Sequence, residues 1–279
     1  MPRPFNTELV LEERICEPRL RGYHVGFDKG AFRLVPLVDV ITEVIPEFAL
    51  GFHCGKIGMT EVVSRLKEAA KLVFGTDKYK RRGEFGELIL HLLLRDFHNT
   101  IPLVSKIYFK DSQNVAVHGF DAVQITIDGD VKKLWLGESK FYKTGKSGID
   151  ELIKDVKAHV HEDYLRQEFS LITKRIPEGI PDVEHWRRLM HKYQKLDVIF
   201  QNIVIPLVCT YESSIFNGCT DEDEEYLENF ETECRSLFAD FSNQLSDGTV
   251  EFVLLLLPVP NKDDLNASLY ARLDAMRNL

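Results

Sequence analysis

The stretch from His118 to Lys146, HGFDAVQITIDGDVKKLWLGESKFYKTGK, restricts the possible folds more than any other part of the chain. Apolar and polar residues alternate on both sides of Asp128-Gly129-Asp130, the pattern of two antiparallel strands joined by a tight turn. A Gly129-Asp130 loop pairs Asp128 with Val131 and sets Asp121 directly opposite Glu138. An Asp128-Gly129 loop shifts the pairing by two and makes the two acids diagonal neighbours. Because side chains alternate with period two, either register puts Asp121, Glu138 and Lys140 on one face. Deeper along that face come Val123, Ile125, Ile127, Leu134 and Leu136. Two carboxylates and a lysine thus crown a face that is otherwise apolar.

The flanking sequence places the hairpin in an α/β fold. A strongly apolar helix is expected over about Glu84 to Phe97, then a strand over Ile101 to Lys110. After the hairpin, Ser147 starts or caps a long helix reaching about Phe169, with Ile149, Leu152, Ile153, Val156, Val160 and Tyr164 as its stripe. A helix over Val183 to Tyr193 and a strand over Ile203 to Tyr211 follow. Thr220 heads an acidic helix, Val250 to Val259 is a buried strand, and Leu265 to Met276 closes the chain. Strands separated by helices after residue 150 are the α/β pattern. Upstream, Phe32 to Phe52 is rich in Val and Ile and broken by Pro36 and Pro46, which predicts short edge strands. Thr60 is expected to cap a helix that Gly75 ends. Residues 1–75 read as an N-terminal elaboration packed on a core of residues 76–279, forming one compact unit.

With 279 residues the chain can bury a large core. No apolar run reaches the roughly 18 residues of a membrane span, and the N-terminus has no signal-peptide core. Five scattered cysteines form no CxxC pair and no disulfide framework, which points to a reducing cytoplasm. The net charge of −9 argues against indiscriminate nucleic-acid binding, where neutralising phosphates dominates affinity. It leaves room for a local basic groove and hints that a partner supplies part of the grip.

Asp121, seventeen residues before Glu138-Ser139-Lys140, is the central constellation. Mg²⁺ (or Mn²⁺) prefers hard oxygen ligands and keeps several waters, and two carboxylates on adjacent strands supply such ligands. A lysine on the same face can position or deprotonate a water and neutralise phosphate charge. A bare Glu-x-Lys is common, and a cross-strand charge cluster at a sheet end would also account for it. Glu84 and Glu87 open the preceding helix, where acids also favour the helix dipole. Lys80, Arg81, Arg82, Lys143 and Lys146 lie close along the chain and suit a phosphodiester substrate. Lys143-Thr144-Gly145-Lys146-Ser147 fails as a nucleotide-binding phosphate loop, because Lys140 stands where that pattern needs glycine. His159 and His161, two apart on a helix, point to different sides and read as ordinary surface or core residues.

The sequences GEFGE, GFD and GESKFY resemble the PD-(D/E)XK nuclease superfamily. Its shared core carries an aspartate on the second strand and Glu-x-Lys on the third. More closely, RGEFGELILHLLL, GFDAV and LWLGESKFY resemble the HamA family, nuclease subunits of the Hachiman anti-phage system, over about residues 80–165. The resemblance implies a restriction-endonuclease-like core and catalytic residues Glu87 (Glu84 as alternative), Asp121, Glu138 and Lys140, with Asp121 and Glu138 on the metal. Gly119-Phe120-Asp121 departs from the nominal signature by lacking its proline. The resemblance further implies a DNase acting on DNA in the bacterial cytoplasm, restrained by a helicase partner, HamB. A non-catalytic DNA-binding or regulatory subunit, or a nuclease acting on RNA, is the alternative.

Overall fold

In the computed structural model, which describes residues 7–51, 58–74, 84–105, 119–245 and 250–279, Gly129 and Asp130 turn the hairpin. Gly129 has φ +56°, at the first central position, where a type II′ turn takes glycine. Strands β1 (Glu12–Cys16), β2 (Leu20–His24), β3 (Phe27–Asp28) and β4 (Ala31–Phe32) precede helices α1 (Leu34–Glu43), α2 (Ile45–Leu50), α3 (Val62–Phe74) and α4 (Glu84–Phe97). Then come β5 (Ile101–Ser105), β6 (Ala122–Asp128), β7 (Val131–Tyr142), α5 (Gly145–His159), α6 (Glu162–Thr173), α7 (Val183–Leu189) and α8 (Leu196–Asn202). The chain ends with β8 (Ile203–Glu212), α9 (Glu224–Gln244), β9 (Glu251–Val259) and α10 (Lys262–Arg277).

Among the described residues, seven strands form one mixed sheet in the order β1-β2-β9-β8-β7-β6-β5. Strands β2, β9, β8 and β7 are mutually parallel along the sheet, and the β7-β6-β5 side is antiparallel. Helices cover both faces, as expected of a restriction-endonuclease-like α/β core. One face, through Val204, Val208, Val253, Leu255 and Ala122, packs against α1, α3, α4 and α10. On the other, Ile205, Leu207, Leu254 and Leu256 meet α5 and α9. Val123, Ile125, Leu134 and Leu136 meet α6, α7 and α8 there. Helix α4 is enclosed nearly all round, with Leu88, Ile89, Leu90, Leu92, Leu93 and Leu94 fully buried, which explains its apolar sequence.

Three sequence expectations are corrected. The Val/Ile-rich segment after Phe32 forms α1 and α2, not edge strands. Leu37, Val38, Ile41, Val44, Ile45 and Phe48 recur at helical spacing and are buried. Pro36 and Pro46 each fall in a first helical turn, where a missing N–H removes no intrahelical bond. The helix after the hairpin is capped by Thr144, whose side chain accepts from the Ser147 N–H, and it breaks at Val160-His161. The break has a packing cause: Ile149, Leu152, Ile153 and Val156 belong to one cluster, whereas Leu165, Phe169 and Ile172 belong to another further along the twisted sheet. The acidic helix is capped by Asp223, whose Oδ1 accepts from the Tyr226 N–H, rather than by Thr220. The expected strand beyond Ile101 is present to Ser105, and its continuation to Lys110 lies outside the described residues.

Candidate active site

The ladder between β6 and β7 runs from Asp128-Val131 to Ala122-Gly137, so Asp121 follows opposite Glu138. Beyond Gly137, β7 continues to Tyr142 paired with β8, in register Glu138-Leu207 through Tyr142-Tyr211. The site therefore sits where β7 outruns β6, at the carboxyl end of a parallel strand, the usual ligand-binding end of α/β sheets. A strand leaving its partner exposes backbone N–H groups that must be satisfied. Here the Asp121 N–H donates to the Gly137 carbonyl at 2.8 Å, and the Ser139 N–H donates to Oδ2 of Asp121 at 2.9 Å. The Ser139 hydroxyl donates to the same oxygen at 2.8 Å. The carboxylate thus takes the place of the next ladder acceptor and is held in one orientation.

Glu138 and Lys140 project toward α5, on the face of their β8 partners Leu207 and Cys209. Helix α5 runs back over β7 after a two-residue connection, Lys143-Thr144. Four residues of helix advance about 6 Å and two of strand about 6.6 Å. Asp155 and His159 therefore fall over Lys140 and Glu138 in turn. The Lys140 ammonium pairs with Asp155, and Nδ1 of His159 donates to Oε1 of Glu138 at 2.6 Å. The His159 ring lies stacked on Tyr164 at 4.3 Å and meets Phe120 edge-on at 5.4 Å.

These contacts set the charges. Burial alone would lower the Lys140 pKa, but the Asp155 carboxylate, followed by Glu138 and Asp121, outweighs it and raises the value. The lysine is therefore held as a cation. Burial likewise opposes the His159 imidazolium, and the hydrogen bond and charge of Glu138 overcome it, raising its pKa.

The expected site residues are distributed as follows. Glu138 and Lys140 share the α5 face, as their spacing predicts, and Asp121 stands opposite Glu138 with its carboxylate turned to Ser139 between them. Glu87 is buried on α4, which packs on the opposite face. It stands one residue after Gly86, where an added Cβ would lie 3.2 Å from the Ser139 hydroxyl. The helix start thus abuts the middle residue of Glu-Ser-Lys. Lys143 and Lys146 are exposed beside the α5 start and form ion pairs with Asp263 at 3.3 Å and Asp240 at 3.8 Å. Lys80, Arg81, Arg82 and the Glu84 side chain lie outside the described residues. Sequence reasoning missed Asp155 and read His159 as an ordinary surface or core residue, whereas both reach the site. Their signal was spacing: polar residues four apart, flanking the apolar stripe of the helix that directly follows β7.

Among the described residues, no group of three or more His, Cys, Asp and Glu side chains is arranged to hold a metal ion. Mg²⁺ does not need one, since it is commonly held by one or two carboxylates with waters and substrate phosphates completing the shell. Two buried carboxylates opposite each other across a hairpin, each hydrogen-bonded from behind, fit that requirement. No helix among the described residues is long and apolar enough to cross a membrane.

A search of curated proteins finds no significant match. The HamA family model aligns with residues 3–273 of the 279, taking in both helical layers and all seven strands of the sheet along with this site. The chain belongs to the HamA family, and is thereby a Hachiman anti-phage defence protein.

Proposed function

We propose that this HamA-family chain is a Mg²⁺-dependent deoxyribonuclease, the effector of an anti-phage complex released or activated by a helicase partner. The observation that carries the reading is that Glu138 and Lys140 share one face, with Asp121 opposite Glu138, at the point where β7 outruns β6. Asp121 and Glu138 would hold the divalent ion. Bound there, the ion supplies an acidified water and charge stabilisation at a phosphodiester. Lys140, kept cationic by Asp155, is suited to neutralise developing phosphate charge or orient water, rather than to act as general base. Glu87 would complete the site from α4. The net charge of −9 fits a chain that relies on its partner for much of its hold on DNA.

One observation favours a second reading, a non-catalytic regulatory subunit: Lys140, Glu138 and Asp121 already have partners within the chain. Plasmid DNA and an RNA of similar length are incubated with the purified chain and Mg²⁺, alone and with its helicase neighbour. Metal-dependent DNA cleavage that stops with chelator, and is lost in the Glu138→Ala, Lys140→Ala double variant while folding and partner binding persist, is the expected result. A fully active double variant sinks the nuclease assignment, and cleavage of RNA alone changes the substrate.

A further inference from the structure

We infer that His159 is a positioning residue for Glu138, presetting its carboxylate for the divalent cation; this rests on the nuclease reading above. A carboxylate oxygen can only accept, so the 2.6 Å contact has the Nδ1–H of His159 donating to Oε1 of Glu138. The imidazole is itself fixed, parallel to Tyr164 with an interplanar angle of 8° and edge-on to Phe120 at 74°. Its supports come from both sides of the site. Phe120 immediately precedes Asp121, and Tyr164 lies on α6, just past the helix break at Val160-His161.

Glu138 is 2% exposed, so its rotamer is set by what touches it rather than by solvent. Ser139 performs the matching task for Asp121, with its N–H and hydroxyl both on Oδ2. Each candidate metal ligand therefore has a donor behind it, one from β7 and one from α5. Such outer partners of metal-binding carboxylates orient them, and removing one typically costs 10- to 100-fold in metal affinity or activity.

Two substitutions separate the hydrogen bond from the ring packing. His159→Phe keeps an aromatic ring against Tyr164 and Phe120 and loses the donor. His159→Asn loses the ring and places an amide N–H as many bonds from the backbone as Nδ1. Mn²⁺ alone, without DNA, is titrated into each folded variant and followed by electron paramagnetic resonance, with Glu138→Ala as the ligand-loss control.

Expected are Mn²⁺ binding weakened about 10- to 100-fold in H159F and H159N within about threefold of the parent. H159F binding as well as or better than the parent overturns the inference, as does H159N as weak as H159F. If only one variant folds, its affinity alone decides on the same terms. A parent chain that binds Mn²⁺ while H159F does so equally removes this inference and leaves the nuclease reading standing. A parent chain that binds no Mn²⁺ and cuts no DNA removes both.

Discussion

Ser139 donates both its backbone N–H and its hydroxyl to one oxygen of Asp121, at 2.9 and 2.8 Å, and so ties the end of β6 to the overhanging part of β7. The residue between the two charged members of Glu-Ser-Lys is therefore part of the site. Ser139→Ala keeps the N–H bond and loses the hydroxyl, and a hydrogen bond to a charged group is worth about 1.5–3 kcal/mol. With the remaining bond compensating in part, cleavage should fall about tenfold at limiting Mg²⁺, and thermal unfolding should show a loss of at most about 1.5–3 kcal/mol. A dependence of rate on Mg²⁺ concentration indistinguishable from the parent's would show that Asp121 does not need the hydroxyl.

Gly148 lets α5 approach β8 closely enough for Asp155 and His159 to reach β7. A Cβ at Gly148 would lie 2.4 Å from Sγ of the fully buried Cys209, so something must shift. Gly148→Ala should destabilise by about 1–3 kcal/mol, the usual cost of overpacking. Cys209→Ala makes room for the new methyl, so the double variant should recover much of the loss, a coupling expected of residues in contact. Thermal unfolding of both single variants and the double variant measures it. Additive losses would mean that α5 adjusts without pressing on Cys209.

The parts of the fold that were legible in the sequence are those where one local pattern dominates. The hairpin alternation fixed the shared face of Glu138 and Lys140 under either turn, and the glycine at 129 set the register that occurs, with Asp121 opposite Glu138. Helix α4 and strands β8 and β9 stand where their apolar runs put them. Phe32 to Phe52 misled because β-branched residues fill a buried helix as readily as a strand once packing outweighs propensity, and because prolines fit first helical turns. Asp155 and His159 were hidden for a different reason. Each is an unremarkable polar residue until the short β7-α5 connection lays the helix back along the strand, so their role arises from tertiary structure. Glu87 lies between these cases: its helix is evident, and its task depends on how α4 meets Ser139.

His98 predicts how stability varies with pH. It touches the Tyr23 hydroxyl at 3.3 Å and the Trp135 ring at 5.2 Å, and burial, aided by the Arg21 charge, lowers its pKa to about 4. The folded chain keeps the imidazole neutral where the unfolded chain, with a value near 6.5, takes up a proton. The folded state thus binds fewer protons between these values, and stability rises with pH there. The contribution is present in full above about 6.5 and is lost as pH falls toward 4. In denaturant titrations across this window, His98→Gln should show a shallower fall than the parent. Identical slopes would place the acid sensitivity elsewhere.

On the nuclease reading, Lys143 and Lys146 are candidate contacts for DNA phosphates. Both are about 70% exposed, and their partners Asp263 and Asp240 are 70% and 48% exposed. Pairs of this kind contribute little to stability, on the order of 0–1 kcal/mol, so a phosphate can take over either ammonium at small cost. Each duplex phosphate neutralised adds about 0.9 to the slope of log affinity against log salt. If both lysines contact phosphate, Lys143→Ala with Lys146→Ala should weaken binding and flatten that slope by about 1.8. Removing the competing acids, Asp240→Asn with Asp263→Asn, should tighten binding at low salt. Fluorescence anisotropy with a labelled duplex, in chelator to prevent cleavage, reads both effects. An unchanged slope in the double alanine variant would move the DNA path away from the start of α5.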